Sequence, residues 1–176
     1  LKKEDFYQHV SKLQDEITNA LFKVDPKIKL VEDIWERSDF ENNKGGGGRT
    51  RAFEGEVIEN AGVNISKIFG AVDPTFSDKF NGEGSTMFAC GISLIIHPKN
   101  PKVPTVHANF RFIERGNQFW FGGGADLTPY YPIEEDFHHF HHVWKKACGP
   151  YQCYDSMKKV CDEYFVNHHR GGEMRG

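Results

Sequence analysis

A two-residue turn between two strand-like runs constrains this chain more strongly than any other feature of its sequence. Gly116-Asn117 separates residues 105–115, in which apolar and polar residues alternate, from a second run that begins at Gln118. Glycine in the first of two turn positions favours a hairpin turn of type II′. The turn predicts that Arg115 pairs with Gln118 and that each further pair keeps the same sum of residue numbers.

This register gathers polar side chains and glycines on one face of the hairpin. Neighbouring side chains of a strand point to opposite faces, so His107, Asn109 and Arg111 share one face. The predicted pairs on this face are Arg111 with Gly122, Asn109 with Gly124, and His107 with Asp126. A bulge in the triple glycine would shift these pairs. Polarity alone is typical of a solvated strand, but strand glycines often mark the close approach of a ligand, so the pattern predicts a functional face with room for a flat ring above the glycines.

The remaining periodicities predict an α+β chain with three helices. Apolar residues recur at helical spacing over residues 4–22 and 133–147, and a further helix begins near Asp155 with Gly171 as its C-cap. The predicted strands lie near residues 53–58, 63–69, 87–97, 105–115 and 118–123. No helical period separates these strands, so an antiparallel sheet built from hairpins fits better than βαβ units.

Four consecutive glycines, Gly45–Gly48, predict a flexible loop between the first helix and the strands. The Lys and Ser or Thr that follow the glycines of a P-loop are absent, so the sequence argues against nucleotide binding there. Arg49 and Arg51 follow the glycines. The alternative to a plain loop is a lid whose arginines meet an acidic ligand.

Composition and charge narrow the classes of protein. A net charge of -3 indicates no general affinity for nucleic acid or anionic membranes, and no run reaches the ~18 apolar residues of a membrane span. The four cysteines form no CxxC pair, which is typical of idle thiols in a reducing compartment. Cytoplasm is the default location, and a mitochondrial one stays open because the chain begins at Leu1. An aromatic content of 14% suits a tight core or a pocket for a large flat ligand.

The histidines leave a metal site open as an alternative. His138, His139, His141 and His142 fall on one predicted helix, whose solvated face explains most of them. Four histidines on different elements are able to converge in space, namely His97, His107, His141 and His169. No local motif such as HExxH accompanies them. The sequence therefore favours a function based on the polar face of the hairpin over a metal-dependent hydrolase.

The chain resembles the oxygen-dependent coproporphyrinogen oxidase family. The matching segments are residues 91–101, 104–111 and 121–129, with further agreement at 59–64 and 161–170. The resemblance implies a large antiparallel β-sheet flanked by helices on both faces, in a homodimer. It also implies oxidative decarboxylation of two propionates of coproporphyrinogen III to vinyl groups, with O2 as oxidant, giving protoporphyrinogen IX in haem biosynthesis. Since the family is longer at its C-terminus, the resemblance implies one incomplete domain, residues 1–176, that is inactive alone.

The same resemblance implies roles for individual residues. His107 matches the proposed proton donor or base, Asp126 the acid that holds the pyrrole N–H groups, and Arg111 a clamp for a propionate. The implied substrate-binding residues are Ser93, Asn109, Phe110 and Arg111. Neither an organic cofactor nor a metal is strictly required, although in bacterial members a divalent metal is assigned to histidines matching His97, His107, His141 and His169. A non-catalytic tetrapyrrole-binding module remains the other alternative.

Overall fold

A computed structural model describes residues 3–39, 44–72 and 82–172. The helices and strands, in chain order, are α1 (Lys3–Val24), β1 (Lys29–Asp39), β2 (Lys44–Glu54), β3 (Ile58–Ala71), β4 (Thr86–Pro98), β5 (Thr105–Arg115), β6 (Gln118–Thr128), α2 (Glu134–Cys148) and α3 (Tyr154–Tyr164). Short 3₁₀ turns follow α2 and α3. No helix among these described residues is long and apolar enough to cross a membrane.

The six strands form one sheet in the order β1-β2-β3-β4-β5-β6, and every neighbouring pair is antiparallel. The predicted antiparallel architecture is therefore confirmed. The β5–β6 hairpin keeps the predicted register from Arg115 and Gln118 to His107 and Asp126, without a bulge. Gly116 has a φ of 60°, and Asn117 keeps a negative φ, which fits type II′ and excludes type I′.

The prediction of a loop at Gly45–Gly48 is wrong, because these glycines lie within β2 and pair with both β1 and β3. Aromatic rings occupy the space that side chains would need. A Cβ on Gly48 would come within 2.6 Å of the Trp35 ring, and one on Gly45 within 2.5 Å of the Phe69 ring. Glycine is required here for close packing within a strand rather than for flexibility.

Several boundaries also differ from the sequence prediction. The strand β1 was not predicted, and a turn at residues 55–57 interrupts the predicted strand 53–58. The helix α3 ends at Tyr164, where the N–H of Phe165 donates to the carbonyl of Cys161. Gly171, with a φ of 70°, follows a separate 3₁₀ turn, so the prediction that it caps α3 is wrong.

Helices pack on both faces of the sheet. The helix α1 covers the face that carries Phe112, whose ring contacts Phe6 of that helix. The opposite face carries His107, since odd and even positions of β5 point in opposite directions. Phe165, which immediately follows α3, contacts the His107 ring from that side. The implied arrangement, a sheet with helices on both faces, is thus confirmed.

A buried polar network joins α1 to the sheet. The side chain of Gln14 is fully buried and donates to the carbonyl oxygens of Arg49 and Val63. Arg49 donates from Nε to the Gln14 amide oxygen at 2.7 Å. Arg51 forms ion pairs with Asp15 and Glu32, both at 2.7 Å. Both arginines therefore bind protein groups, and the alternative of a lid that meets an acidic ligand is contradicted.

Asp25 ties the end of α1 to the turn between β2 and β3. Its carboxylate is 1% exposed and accepts hydrogen bonds from the backbone N–H groups of Val57 at 2.7 Å and Ile58 at 3.1 Å. Burial raises the pKa of Asp25, but the hydrogen bonds from Ile58, Val57 and neighbouring N–H groups outweigh it. The net pKa lies below its ordinary value of 3.8.

The variant Asp25→Asn is expected to unfold at a lower urea concentration than the wild type at pH 7, because an amide offers a weaker acceptor to two buried N–H groups. A lowered folded-state pKa means that the carboxylate contributes fully above pH 3.8 and loses this contribution as the pH falls through the folded-state pKa. The difference between the two urea midpoints should therefore shrink below pH 3.8. An equal difference at pH 7 and at low pH would contradict this account.

Candidate functional site

Three rows of residues cross β4, β5 and β6 on the sheet face opposite α1, which we call the polar face. The rows are Ile95–His107–Asp126, Ser93–Asn109–Gly124 and Gly91–Arg111–Gly122. Five of the residues proposed from the sequence as catalytic or substrate-binding thus share one face of three adjacent strands: Ser93, His107, Asn109, Arg111 and Asp126. Phe110 lies on the other face, where its ring centroid is 6.0 Å from that of Trp144.

His107 and Asp126 form a hydrogen-bonded pair on this face. The His107 Nδ1 lies 2.9 Å from Asp126 Oδ1. Their side chains are 30% and 13% exposed. An ionised carboxylate requires a donor, so in the neutral imidazole Nδ1 carries the proton and Nε2 is an acceptor. The pair can therefore take up a proton at Nε2, and the carboxylate stabilises the imidazolium that forms.

The glycines opposite Asn109 and Arg111 differ in what lies above them. A Cβ on Gly122 would meet no atom within 4 Å. A Cβ on Gly124 would lie 3.1 Å from Cys161 Sγ and 3.3 Å from the Phe165 ring. The sequence predicted room for a flat ring above both glycines, and the structure provides open space only at Gly122. At Gly124 the missing side chain instead lets α3 approach the sheet.

The variant Gly124→Val is expected to lower the free energy of unfolding by about 1–3 kcal/mol, because its side chain overlaps Cys161 and Phe165. Gly122→Val is the matched control, with the same substitution on the same face of the same strand. We expect no loss of stability at Gly122, since its surroundings are open and valine favours extended backbone. Urea titration of both variants measures the difference, and equal losses would show that α3 does not restrict Gly124.

A cavity of about 490 Å³ runs beside β6 and is lined mainly by apolar side chains. Its walls include Phe121 and Gly122 of β6, Trp144 of α2 and Cys161 of α3, and Arg111 contributes a cation. His107 and Asp126 do not line it. Arg111 and His107 are four residues apart on one strand, so their Cα atoms are separated by about 14 Å. A ligand held by both must be elongated.

A family model described as coproporphyrinogen III oxidase matches residues 5–176. The chain belongs to the coproporphyrinogen III oxidase family. This confirms the resemblance that the hairpin motifs indicated.

Relatives of this family share nearly half of their residues with the chain. An oxygen-dependent coproporphyrinogen-III oxidase of Prochlorococcus marinus strain MIT 9313 is 46% identical over 170 residues, which are 93% of this chain and 47% of the relative. The protein of the same name from strain NATL1A is 44% identical over 172 residues, or 95% of this chain and 48% of the relative. The chain spans about half the length of these curated relatives.

The four histidines that family resemblance suggests for a metal have separate surroundings in this chain. His97 Nδ1 lies 3.4 Å from Thr105 Oγ1, and His141 Nδ1 lies 3.1 Å from the Tyr154 hydroxyl. His107 faces Asp126, and His169 is exposed. Within residues 3–39, 44–72 and 82–172, no three His, Cys, Asp or Glu side chains are arranged to hold a metal. The described histidines are therefore not grouped around a metal ion in this structure, and the metal assignment stays a prediction.

His141 lines the cavity as a neutral group. Burial lowers its pKa below the ordinary value of 6.5, and the nearby Lys158 ammonium lowers it further. The Tyr154 hydroxyl lies 3.1 Å from Nδ1, and when it donates to that nitrogen, Nε2 carries the proton and is a donor. In this family member His141 can thus offer a hydrogen bond to a ligand in the cavity.

Two residues beside the His107–Asp126 pair were not predicted from the sequence. The Thr128 hydroxyl donates to Asp126 Oδ2 at 3.2 Å. The Phe165 ring lies edge-on to the His107 ring, with centroids 5.9 Å apart. Thr128 was recognisable in principle, because a residue two positions beyond Asp126 on a strand shares its face. Phe165 carried no such signal, since only the docking of α3 brings it to the sheet.

The cysteines are free thiols, as expected from their spacing. Burial raises the pKa of Cys90 to about 11. Burial and the neighbouring Cys153 thiol raise the pKa of Cys148. Because the thiolate is the reactive form, neither Cys90 nor Cys148 is activated as a nucleophile.

Proposed function

We propose that the complete protein to which this chain belongs is an oxygen-dependent coproporphyrinogen III oxidase, which converts two propionates of its substrate to vinyl groups. The observation that carries this proposal is the His107–Asp126 pair on the same sheet face as Arg111 and the open position at Gly122. The relatives that match the chain carry this name.

The spacing of the polar face suits an acidic, elongated ligand. Arg111 is exposed and lines the cavity, where its planar guanidinium can hold a carboxylate through two parallel hydrogen bonds. Ser93 and Asn109 lie in one row beside it and offer hydroxyl and amide groups. With a propionate on Arg111, another part of the same substrate reaches His107 about 14 Å away along β5.

Asp126 has capacity for the substrate beyond its protein partners. A carboxylate offers about four acceptor positions, and His107 and Thr128 each use one. The remaining positions can accept pyrrole N–H groups, and the fixed negative charge stabilises positive charge that develops on the pyrrole. Its 13% exposure strengthens this interaction, because solvent screening is weak there.

The chemistry balances with O2 as the only oxidant. In each propionate the bond to the carboxylate breaks and CO2 leaves, and the carbon next to the pyrrole loses a proton and two electrons as the C=C bond forms. O2 accepts the two electrons and two protons and becomes hydrogen peroxide. His107 Nε2 is the acceptor that can move a proton in this sequence. An organic cofactor is not needed for the balance, and no step here is routed through a metal.

An aerobic assay tests the proposal. The complete protein, treated with chelator, is incubated with coproporphyrinogen III, and the products are separated by chromatography. We expect protoporphyrinogen IX with O2 present and none under anaerobic conditions. Activity that returns only with a divalent metal would support the bacterial-type metal assignment. Binding of the porphyrinogen without any product would leave the tetrapyrrole-binding module as the function.

Homodimer formation, which the sequence resemblance implies, and a cytoplasmic location, which is the default taken from the sequence, are part of the same proposal. Sedimentation of the complete protein tests the first, and fractionation of cells tests the second. The 176-residue chain alone is expected to be inactive, because it spans about half the length of its relatives.

A further inference from the structure

The Asp126 carboxylate is held at both oxygens by side chains from two different strands. Oδ1 faces His107 Nδ1 of β5 at 2.9 Å, and Oδ2 accepts from the Thr128 hydroxyl of β6 at 3.2 Å. Thr128 lies two residues beyond Asp126, so both side chains project from the same face of β6. Threonine has a restricted χ1, which limits the directions that its hydroxyl can take.

We propose that Thr128 is a positioning residue, which orients the Asp126 carboxylate and through it sets the tautomer and the ring orientation of His107. The inference rests on the proposed function, in which His107 moves a proton and Asp126 stabilises positive charge. No role was assigned to Thr128 from the sequence or from family resemblance.

The geometry gives Thr128 this role because the bond to His107 alone does not fix the orientation of the Asp126 carboxylate plane. The terminal torsion of an aspartate is broad and roughly two-fold, so a carboxylate bonded at one oxygen can turn about that bond. A hydrogen bond at Oδ2 restricts this freedom and keeps Oδ1 directed at His107 Nδ1. The tautomer of a histidine is set by the hydrogen bond that its other nitrogen makes, so an ordered Oδ1 keeps the proton on Nδ1.

Phe165 restricts the imidazole from another direction. Its ring lies edge-on to the His107 ring, with an interplanar angle of 74°. Packing limits where the imidazole sits, but an apolar contact cannot distinguish Nδ1–H from Nε2–H. The choice of tautomer therefore depends on the Asp126 carboxylate and on the hydroxyl that orients it.

The test compares Thr128→Val with Thr128→Ser in the complete protein. Valine keeps the shape and removes the hydroxyl, and serine keeps the hydroxyl. Loss of one hydrogen bond to a charged group corresponds to a decrease in rate of about 10- to 100-fold. We expect Thr128→Val to lower kcat at least about 10-fold with little change in KM, and Thr128→Ser to recover activity to within about threefold of wild type. Equal losses in both variants would overturn the proposal.

A spectroscopic measurement separates positioning from a general structural effect. The ¹⁵N shifts of His107 are expected to report an Nδ1–H tautomer in the wild type and a mixture with Nε2–H in Thr128→Val. Thr50→Val is the matched control, since Thr50 lies on the same face of the sheet in β2, three strands from β5. An unchanged tautomer in Thr128→Val, or the same change in Thr50→Val, would overturn the proposal.

Two further outcomes are distinguished by the same design. If Thr128→Val does not fold, Thr128→Ala removes the hydroxyl with less bulk, and the same tautomer shift is expected. If the wild type forms no product from coproporphyrinogen III, the proposed function fails. The tautomer measurement needs no substrate, so it still decides whether Thr128 orients the pair.

Discussion

Asp126→Asn is expected to lower kcat of the complete enzyme by about 100- to 1,000-fold, the loss seen when a preorganised electrostatic contact to a transition state is removed. The amide is neutral and cannot stabilise an imidazolium on His107 or positive charge on a pyrrole. Its NH2 group can also turn toward His107 and then favours the tautomer with the proton on Nε2. Because asparagine has nearly the same shape and volume as aspartate, the free energy of unfolding should change by about 1 kcal/mol or less.

Asp33→Asn is the matched control for this experiment. Asp33 is exposed and lies in the same cross-strand row as Ser93 and Asn109, through Thr50 and Asn64. It stands four strands away from β5, at about 19 Å. Steady-state kinetics should therefore show wild-type turnover for Asp33→Asn. If Asp126→Asn keeps near-normal turnover with coproporphyrinogen III, the role assigned to Asp126 is wrong.

Phe112→Ala is expected to lower the free energy of unfolding by about 3–5 kcal/mol, the largest effect on stability that we predict. The Phe112 side chain is 1% exposed and sits between α1 and the sheet. Its ring contacts Phe6, Phe88 and Phe121, with centroids 5.4 to 6.3 Å apart. Alanine would leave a cavity that rings from a helix and two neighbouring strands cannot close together.

Phe119→Ala serves as the control for Phe112→Ala within the same aromatic cluster. The Phe119 ring stacks on Phe112 at 5.7 Å but is 58% exposed. Its removal opens no enclosed cavity, so we expect a loss of about 1 kcal/mol or less. Urea unfolding followed by far-UV circular dichroism measures both variants. Similar losses for the two would show that the cluster is not an enclosed core.

The hairpin was predictable because its signals are local. A two-residue turn at Gly116 sets the register, and a strand period of two then assigns each side chain to a face. Counting pairs back from the turn predicted that His107 pairs with Asp126, although the two residues are 19 positions apart in the sequence. Helix α1 was predictable for the same kind of reason, since its apolar positions repeat at helical spacing.

The structural role of individual glycines could not be predicted from the residues that surround them in the sequence. Gly45–Gly48 carry the composition of a loop, yet Trp35 and Phe69 pack over them in a strand. Gly122 and Gly124 are equivalent in sequence, yet one faces open space and the other faces Cys161. The space beside a glycine is filled, or left open, by residues that are distant in the chain. A local sequence pattern therefore cannot predict what lies there.

By itself the sequence determined the family, the antiparallel pairing of β5 with β6 and the face shared by His107, Arg111 and Asp126. These features depend on short-range periodicity and on motifs, which a chain carries without being folded. Only the tertiary structure decided that Arg51 binds α1 and that the ring of Phe165 rests against His107. Such contacts arise when helices dock on a completed sheet, and the docking is set by packing among residues far apart in sequence.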